Sequence, residues 1–254
     1  MDSEYLRNAD LDGESFLFEG NRTGVLLFHG YRATTTEVRL LANALRPRGY
    51  TIQAPLLSGH GTTPQEFAKT PYTQWLADAE QAYTSLASRC DRVYVAGESM
   101  GALLALHLAY THPEIPAVIC YSPAIIVKKI WASLVFQYFM KYLPEGNNRD
   151  ELPWKGYLVN PTRAIVQLYR IQRYINGKLS SISAPVCIFI GKKDKRIALN
   201  SGRFIIDHLN ASDAEIHYYQ NSPHCMILAD DLPDIAKKTV RFIETHPDTQ
   251  IKPN

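Results

Sequence analysis

Residues 95–112, "VAGESMGALLALHLAYTH", place a small polar cluster between two apolar runs. The run that leads into the cluster, "RVYVAG" (92–97), is short and rich in β-branched residues, as is typical of a buried strand. The run that follows stays apolar for long enough to form a helix. Because Gly97 and Gly101 flank Ser99, the pattern predicts a sharp strand-to-helix turn with a serine at its tip.

Apolar runs of these two kinds alternate along the rest of the chain. Short runs predict strands: ESFLF (14–18), GVLLFHG (24–30), YTIQAP (50–55), RVYVAG (92–97), AVICYS (117–122), PVCIFIG (185–191) and EIHYYQ (215–220). Longer runs predict helices: TTEVRLLANALRPRG (35–49), YTQWLADAEQAYTSLASRC (72–90), SMGALLALHLAYTH (99–112) and DDLPDIAKKTVRFIETH (230–246). Such alternation indicates an α/β fold, with a mostly parallel sheet and helices on both of its faces.

The alternation breaks in the middle of the chain, where the interval between two strands is far longer than one crossover needs. We interpret residues 123–184 as a helical cap insertion whose last helix returns to the core. Residues 1–122 and 185–254 then form the two parts of the core.

Within the insertion, Asn160 followed by Pro161 predicts the N-cap and the first position of a helix. The aromatic residues of this segment fit the wall of an acyl pocket, and they fit the core of the cap at least as well. For that reason Trp131 and Phe136 are not assigned to the site.

The composition is that of an ordinary globular protein, with 254 residues, 46% of them hydrophobic, and a net charge of +2. We expect no nucleic-acid partner, no integral membrane segment and no signal peptide, and therefore a cytoplasmic monomer or small homo-oligomer. The cysteines lie far apart without a C-x-x-C pair, which predicts neither a disulfide scaffold nor a metal site: Cys90, Cys120, Cys187 and Cys225.

Ser99 lies in "GESMG", which fits the G-x-S-x-G pattern of a nucleophile at a strand-to-helix elbow. The tight turn lifts the hydroxyl above the sheet, and small neighbours let strand and helix approach closely. A turn that only caps a helix is the alternative. Because both a strand and a helix flank the motif, we favour a catalytic serine.

A serine hydroxyl needs a base that takes its proton, and a loop that returns over the serine would carry it. His224 in "NSPHCMIL" directly follows the last predicted strand, unlike the other seven histidines. Asp194 in "GKKDKRI" follows the preceding strand and can orient the imidazole. Its rivals, Asp230 and Asp231, fit better as the N-cap of the last helix. The order Ser99, Asp194, His224 is that of the α/β-hydrolases.

Acyl transfer also requires hydrogen-bond donors for the developing oxyanion. The backbone N–H of Met100, directly after the serine, is one expected donor. The backbone N–H of Tyr31, on the loop after the strand that ends "LLFHG", is the other.

These segments together resemble the carboxylesterase and monoacylglycerol lipase family of α/β-hydrolases. The resemblance covers nearly the whole chain and rests on "LLFHGYRATTTEVRLLANALRPRGYTIQAPLLSGHGTTP", "TQWLADAEQAY", "VYVAGESMGALLALHLA", "APVCIFIGKKDKRI" and "NSPHCMILADD". It implies an α/β-hydrolase fold with a small helical cap, and a cofactor-free serine esterase for short- to medium-chain acyl esters or monoacylglycerols. By the same matching, Ser99, Asp194 and His224 form the triad, and Tyr31 and Met100 donate to the oxyanion.

Several positions depart from the pattern of that family. Glu98 precedes the serine where Leu is common, and Ala102 stands where a second Gly is common. Arg32 follows the aromatic residue of the oxyanion loop, where a small or polar residue is usual, and the pattern after His224 runs one position longer. No catalytic group is lost, but Glu98 and Arg32 change the expected polarity near the ester, and the two could pair with each other.

Two other functions use the same residues. A thioesterase or an amidase would keep the triad and change the acyl donor. A ligand-binding protein could keep the fold without turnover, since a fold alone does not guarantee activity. A pure binder has no need of all three triad residues, so we favour an ester hydrolase.

Overall fold

The computed structural model describes residues 5–143, 152–211 and 213–247. The strands are β1 Leu6–Arg7, β2 Phe16–Phe18, β3 Thr23–Phe28, β4 Thr51–Ala54, β5 Arg92–Glu98, β6 Val118–Tyr121, β7 Tyr142–Leu143, β8 Gly156–Tyr157, β9 Asn160–Pro161, β10 Val186–Gly191 and β11 Ala214–Tyr219. The α-helices are α1 Thr36–Leu45, α2 Pro64–Lys69, α3 Tyr72–Ala87, α4 Met100–Thr111, α5 Ser133–Phe136, α6 Thr162–Asn176, α7 Ser201–His208 and α8 Leu232–Thr245. Short 3₁₀ helices are Arg46–Arg48, Ile130–Ala132, Leu179–Ser181 and Met226–Leu228.

The central sheet has seven strands in the order β11-β10-β6-β5-β3-β4-β2. All neighbouring strands run parallel except β2, which pairs antiparallel with β4. Each strand and each helix predicted from the sequence is present within a few residues of its expected bounds. The prediction of a mostly parallel α/β fold is therefore confirmed.

Alternate side chains of the central strands enter two separate cores. In β3, Leu26 and Phe28 pack into one core, with side chains of α3, α4 and α7, while Val25 and Leu27 pack into the other, with those of α1 and α8. Since both faces of the sheet are covered, its strands are apolar at nearly every position.

Helix α4 is apolar around its whole circumference, and residues 100–109 are all buried. It lies between the sheet and a second layer, in contact with β5, β6, α3 and α6. A helix that is hydrophobic all round belongs in such a central position. The elbow at its N-terminus is consequently held in the densest part of the molecule.

Most of the long interval between β6 and β10 forms a layer of its own beside the sheet. It contains α5 and α6, and its strands pair antiparallel, β7 with β9 and β8 with the N-terminal β1. We propose residues 123–184 as the cap; residues 144–151 of that segment lie outside the described residues.

The predicted start of the cap helix was wrong by one residue. Asn160 and Pro161 form β9, and α6 begins at Thr162. Pro161 has an extended conformation, with φ −63° and ψ 123°, because it pairs with Tyr142 across the short ladder. Strand pairing thus continues through the position that looked like the first turn of a helix.

Helices α2 and α7 were absent from the sequence predictions. For α2 a signal was present, because Thr63 precedes Pro64 and its hydroxyl accepts the backbone N–H of Glu66 at 3.2 Å. This is the usual arrangement of an N-cap followed by proline.

Two further features bear on the sequence analysis. Among the described residues, no helix has both the length and the apolar character needed to cross a membrane. The four cysteines are all buried as free thiols.

Candidate active site

Ser99 occupies a strained turn between β5 and α4. Its backbone has φ 56° and ψ −109°, a left-handed value of φ that few residues other than glycine adopt. A Cβ on Gly97 would lie 2.2 Å from the carbonyl carbon of Gly101, and one on Gly101 would lie 2.2 Å from the oxygen of Phe28. Glycine is therefore required at both positions, and the elbow stores strain of about 1–3 kcal/mol.

The loops that follow β10 and β11 lie against each other beside this elbow. A Cβ on Gly191 would lie 2.5 Å from the carbonyl oxygens of both Ser222 and Pro223. The backbone N–H of Lys193 also donates to the oxygen of Ser222 at 3.1 Å. This close approach brings Asp194 and His224, the predicted orienting carboxylate and base, to the same edge of the sheet as Ser99.

The structure brings Ser99, His224 and Asp194 together. The Nε2 atom of His224 lies 3.0 Å from the hydroxyl oxygen of Ser99, and its Nδ1 lies 2.7 Å from a carboxylate oxygen of Asp194. Because a carboxylate only accepts, Nδ1 carries the proton, which leaves Nε2 free to accept the hydroxyl proton. In this arrangement the imidazole can act as a general base toward the serine.

Asp194 is buried and fully engaged. Its second carboxylate oxygen accepts the backbone N–H groups of Arg196 at 2.7 Å and Ile197 at 2.9 Å. Burial alone would raise the pKa of Asp194, but the charge and hydrogen bond of His224, together with the two amides, outweigh it and lower the pKa below its ordinary value. The carboxylate is thus ionised wherever the protein is neutral or mildly acidic.

The loop that carries His224 is fixed by two serine hydroxyls. Ser122 donates to the carbonyl oxygen of His224 at 2.7 Å, and Ser222 donates to the carboxylate of Asp231. Asp231 is the N-cap residue of α8, as predicted, but its side chain makes no capping hydrogen bond. Its carboxylate stabilises the histidine loop instead.

In the loop after β3, hydrogen bonds hold both the backbone N–H and the carbonyl of Gly30. The N–H of Gly30 donates to the Glu37 carboxylate at 2.5 Å, and its carbonyl accepts from the Nδ1 of His29 at 3.0 Å and the N–H of Ala33 at 3.3 Å. In a trans peptide the carbonyl of one residue and the N–H of the next point in opposite directions. The N–H of Tyr31 therefore points away from the His29 ring.

Glu37 is a functional candidate that the sequence analysis missed. It is buried, and in addition to Gly30 its carboxylate lies 3.5 Å from the thiol of Cys225, the neighbour of His224. Glu37 thereby joins the loop after β3 to the histidine loop. A signal was available, because Glu37 shares the buried stripe of α1 with Leu41 and Leu45 at helical spacing, where a lone carboxylate is unusual.

No hydrogen bond joins the carboxylate of Glu98 to Arg32, although both are described residues. The carboxylate of Glu98 is fully buried, and the backbone N–H groups of Met226 and Ile227 lie close to it without forming hydrogen bonds of standard geometry. Burial, with the charges of Glu37 and Asp194, raises the pKa of Glu98 well above its ordinary value and so favours the protonated form of this side chain. Arg32 instead donates to the carbonyl of Tyr157 at 2.8 Å.

Two buried histidines lie beneath the loop after β3. The Nε2 of His29 accepts the backbone N–H of Leu57 at 3.2 Å, so His29 is neutral and donates through Nδ1. The ring of His60 packs edge-on against it, 4.8 Å away, and burial lowers the pKa of both, that of His29 to about 4. These rings are structural supports of the loop.

A cavity of about 540 Å³ lies above Ser99 and His224, which is within the usual size range of small-molecule sites. Most of its lining comes from the cap segment and is either apolar or basic. The lining residues are Tyr31, Arg32, Ser99, Ala124, Val127, Lys128, Lys129, Ile130, Ala132, Ser133, Phe136, Leu143, Asn160, Ile165, Leu168, Lys195, Arg196, Ile197 and His224.

Elsewhere, Cys187, Glu215 and His217 form a group of potential metal ligands, with donor atoms within 4.8 Å of one another. Arg241 already binds both carboxylate oxygens of Glu215, at 2.9 and 2.7 Å, and the thiol of Cys187 also contacts this carboxylate, at 3.4 Å. These contacts satisfy the group without a cation, so we assign no metal to it.

Known proteins resemble the chain in both sequence and fold. A family model described as "Serine aminopeptidase, S33" matches residues 20–152. A thermostable monoacylglycerol lipase of Bacillus sp. (strain H-257) is 30% identical over 92% of this chain and 95% of its own length. A carboxylesterase of Bacillus subtilis (strain 168) is 26% identical over 90% of this chain and 95% of its own length.

A similar solved structure comes from work on LipS and LipT, two metagenome-derived lipolytic enzymes. It superimposes with a TM-score of 0.87 at 28% identity, over 92% of this chain and 98% of that one. The likeness extends over the sheet and the cap segment together, since nearly the full length of both chains is matched.

Proposed function

The chain belongs to the α/β-hydrolase family that the serine aminopeptidase S33 model describes, within its carboxylesterase and monoacylglycerol lipase group, and on that premise we propose that Ser99, His224 and Asp194 are the triad with which it hydrolyses carboxylic esters. Membership makes it an esterase- or lipase-type serine hydrolase. The observation that carries the assignment of residues is the imidazole of His224, hydrogen bonded on one side to Ser99 and on the other to Asp194.

The reaction follows from this geometry. His224 takes the hydroxyl proton as Ser99 attacks the acyl carbonyl, and Asp194 stabilises the resulting imidazolium. The imidazolium then gives its proton to the leaving alcohol, and an acyl-enzyme remains. Water then attacks the acyl carbonyl as His224 takes one of its protons, and the imidazolium returns that proton to the Ser99 oxygen as the acid is released.

The oxyanion would be held by the backbone N–H groups of Tyr31 and Met100. Met100 is the first residue of α4, so its N–H has no partner within the helix. The peptide that carries the Tyr31 N–H is held through the Gly30 carbonyl, which fixes the direction of the donor before substrate binds. Preorganised donors of this kind are often the largest single contribution to acyl transfer.

We propose short- to medium-chain acyl esters or monoacylglycerols as substrates. The cavity is large enough for a small ester and is walled largely by apolar side chains of the cap segment. The relatives named above are a monoacylglycerol lipase and a carboxylesterase.

The test is a comparison of one acyl group presented as an oxygen ester, a thioester and an anilide. We expect the oxygen ester to react with the highest kcat/KM, and Ser99→Ala to abolish turnover while circular dichroism is unchanged. Ser85→Ala, on the exposed face of α3, is the matched control and keeps full activity.

Other outcomes would redirect the assignment. A preference for the thioester would identify a thioesterase, and a preference for the anilide would fit the aminopeptidase of the family description. Absence of turnover on all three, with the ligand still bound, would indicate a binding protein.

A further inference from the structure

The cavity above Ser99 carries positive charge on several sides. Five of its lining residues are basic, and none of the described lining residues is acidic: Arg32, Lys128, Lys129, Lys195 and Arg196. The chain as a whole is nearly balanced, with 27 basic and 25 acidic residues. The basic residues are therefore concentrated at the cavity beyond what the composition requires.

A specific backbone contact brings four of these cations together. Val127 and Ile197 form an isolated antiparallel bridge, and the N–H of Lys128 donates to the carbonyl of Arg196 at 3.3 Å. The bridge places Lys128 and Lys129, which follow Val127, beside Lys195 and Arg196, which precede Ile197. Lys129 has a left-handed backbone, with φ 56°. This conformation is energetically unfavourable for lysine.

Arg32 lies on the floor side of the same cavity and is only 4% exposed. Its guanidinium donates to the carbonyl of Tyr157 and lies 5.4 Å from the centre of the Trp154 ring. Neither Tyr157 nor Trp154 lines the cavity, so the four cations at the bridge are the candidates for contact with a ligand.

We propose that Lys128 and Lys129, which lie beside Lys195 and Arg196, bind an anionic group, a carboxylate or a phosphate, on the ester substrate. This inference rests on the proposed function and names the substrate class more narrowly, as amphiphilic esters with one negative charge or more. The apolar part of the ester packs against the apolar side chains of the cavity, and the anion lies among the cations. Charges that line a cleft of low dielectric attract a substrate of opposite sign and raise its association rate.

The negative charge of such an ester is either on its alcohol part or on its acyl part. Two matched pairs of substrates distinguish these two cases. One pair is 1-octanoylglycerol and its 3-phosphate. The other is 4-nitrophenyl pentanoate and the 4-nitrophenyl monoester of glutaric acid, which ends in a carboxylate. All four are used below their critical micelle concentrations, so that binding to a lipid surface makes no contribution.

In at least one pair we expect kcat/KM to be about 10-fold higher for the anionic member, and the advantage to shrink as salt is added. The variant with Lys128→Gln and Lys129→Asn should lose most of that advantage, while the neutral ester changes far less. Asparagine is chosen because it tolerates the left-handed backbone. Lys237→Gln, which removes an exposed charge from α8, is the control and should keep the advantage intact.

Equal or faster hydrolysis of the neutral member in both pairs would overturn the inference. So would an advantage for the anion that survives in the double variant, since other groups would then hold the charge. If wild-type protein hydrolyses none of the four, the proposed ester hydrolase fails and the inference fails with it.

Discussion

The two sides of the cavity are built in opposite ways. The floor, formed by the loops that carry Gly30, Ser99, Asp194 and His224, is largely buried, and each of these residues is fixed by hydrogen bonds. The cap wall, residues 127–143, leaves large apolar side chains in solvent, among them Trp131 at 63%, Tyr138 at 78% and Phe139 at 80% exposure.

From this difference we expect the floor to carry out the chemistry and the cap wall to select the substrate. Atoms that take part in bond breaking must keep their geometry to a fraction of an ångström, and only a packed, hydrogen-bonded region provides this. A wall that selects substrates needs the right polarity and size more than fixed positions. Changes in the floor should therefore have large effects, and changes in the cap wall small ones.

The largest effect is expected at the hydrogen bond between Asp194 and His224. In Asp194→Asn the amide can donate to Nδ1, which favours the wrong tautomer and leaves Nε2 protonated toward Ser99. We expect kcat to fall about a thousand- to ten-thousand-fold, measured by steady-state hydrolysis of a 4-nitrophenyl ester. A loss of less than about tenfold in a folded variant would mean that Asp194 does not orient the histidine.

Buried histidines should make the floor sensitive to acid. The imidazole of His29 binds a proton below about pH 6.5 when the chain is unfolded, but only below about pH 4 when it is folded. Between these values the unfolded state holds more protons, so stability falls as the pH falls, by about 3 kcal/mol from this group. Urea unfolding of wild type and His29→Gln across this range measures it. If the two curves are parallel, His29 is not the source of the slope.

Loss of the Glu37 acceptor should disturb the oxyanion loop. Glu37→Val leaves the Gly30 N–H without its partner, and we expect kcat to fall about 10- to 100-fold with little change in KM, because the oxyanion contact forms only in the transition state. Glu37→Gln retains an acceptor oxygen and serves as the control. A rise in KM with unchanged kcat would contradict a role in positioning.

Glu98 should be a source of instability in the floor. Its folded pKa lies well above that of the unfolded chain, so stability is lost as the pH rises above about 4.5. Glu98→Leu removes a buried carboxyl whose desolvation outweighs its interactions with the backbone N–H groups of Met226 and Ile227, and we expect a gain of about 1 kcal/mol at pH 5 that increases with pH. Thermal or urea unfolding at two pH values measures the gain. If Glu98→Leu is less stable than wild type, the carboxyl of Glu98 makes a net stabilising interaction in the folded protein.

The smallest effect is expected in the cap wall. Phe139→Ser removes an exposed ring, and we expect the stability to change by less than about 0.5 kcal/mol and the hydrolysis of a small ester by less than about twofold. Unfolding and rate measurements on the purified variant test both. A loss comparable to that of Glu37→Val would remove the distinction between floor and wall.

The proximity of Ser99, Asp194 and His224 could be predicted from the sequence, because it follows from local signals and from the topology of the sheet. Continuous apolar runs identify strands buried on both faces, and parallel strands present their carboxyl ends at one edge of the sheet. Residues that follow three such strands, Ser99, Asp194 and His224, therefore meet even though they are far apart in the chain.

The cap and the supports of the floor were harder to predict because they depend on tertiary contacts. The pairing of β7 with β9 overrode the helix-start signal at Asn160 and Pro161. Glu37 shares the buried stripe of α1, but only the position of Gly30 shows why a carboxylate is buried there. The sequence does not predict that Lys128 lies beside Arg196, because the two meet only through the backbone bridge between Val127 and Ile197.

The most direct test of the account is the reaction of the protein with an alkyl phosphonate ester, followed by mass spectrometry of the peptides. We predict one equivalent of label per chain, on Ser99, with loss of esterase activity in proportion, and negligible labelling in His224→Ala. Label on another residue, or full activity in a protein labelled at Ser99, would contradict it.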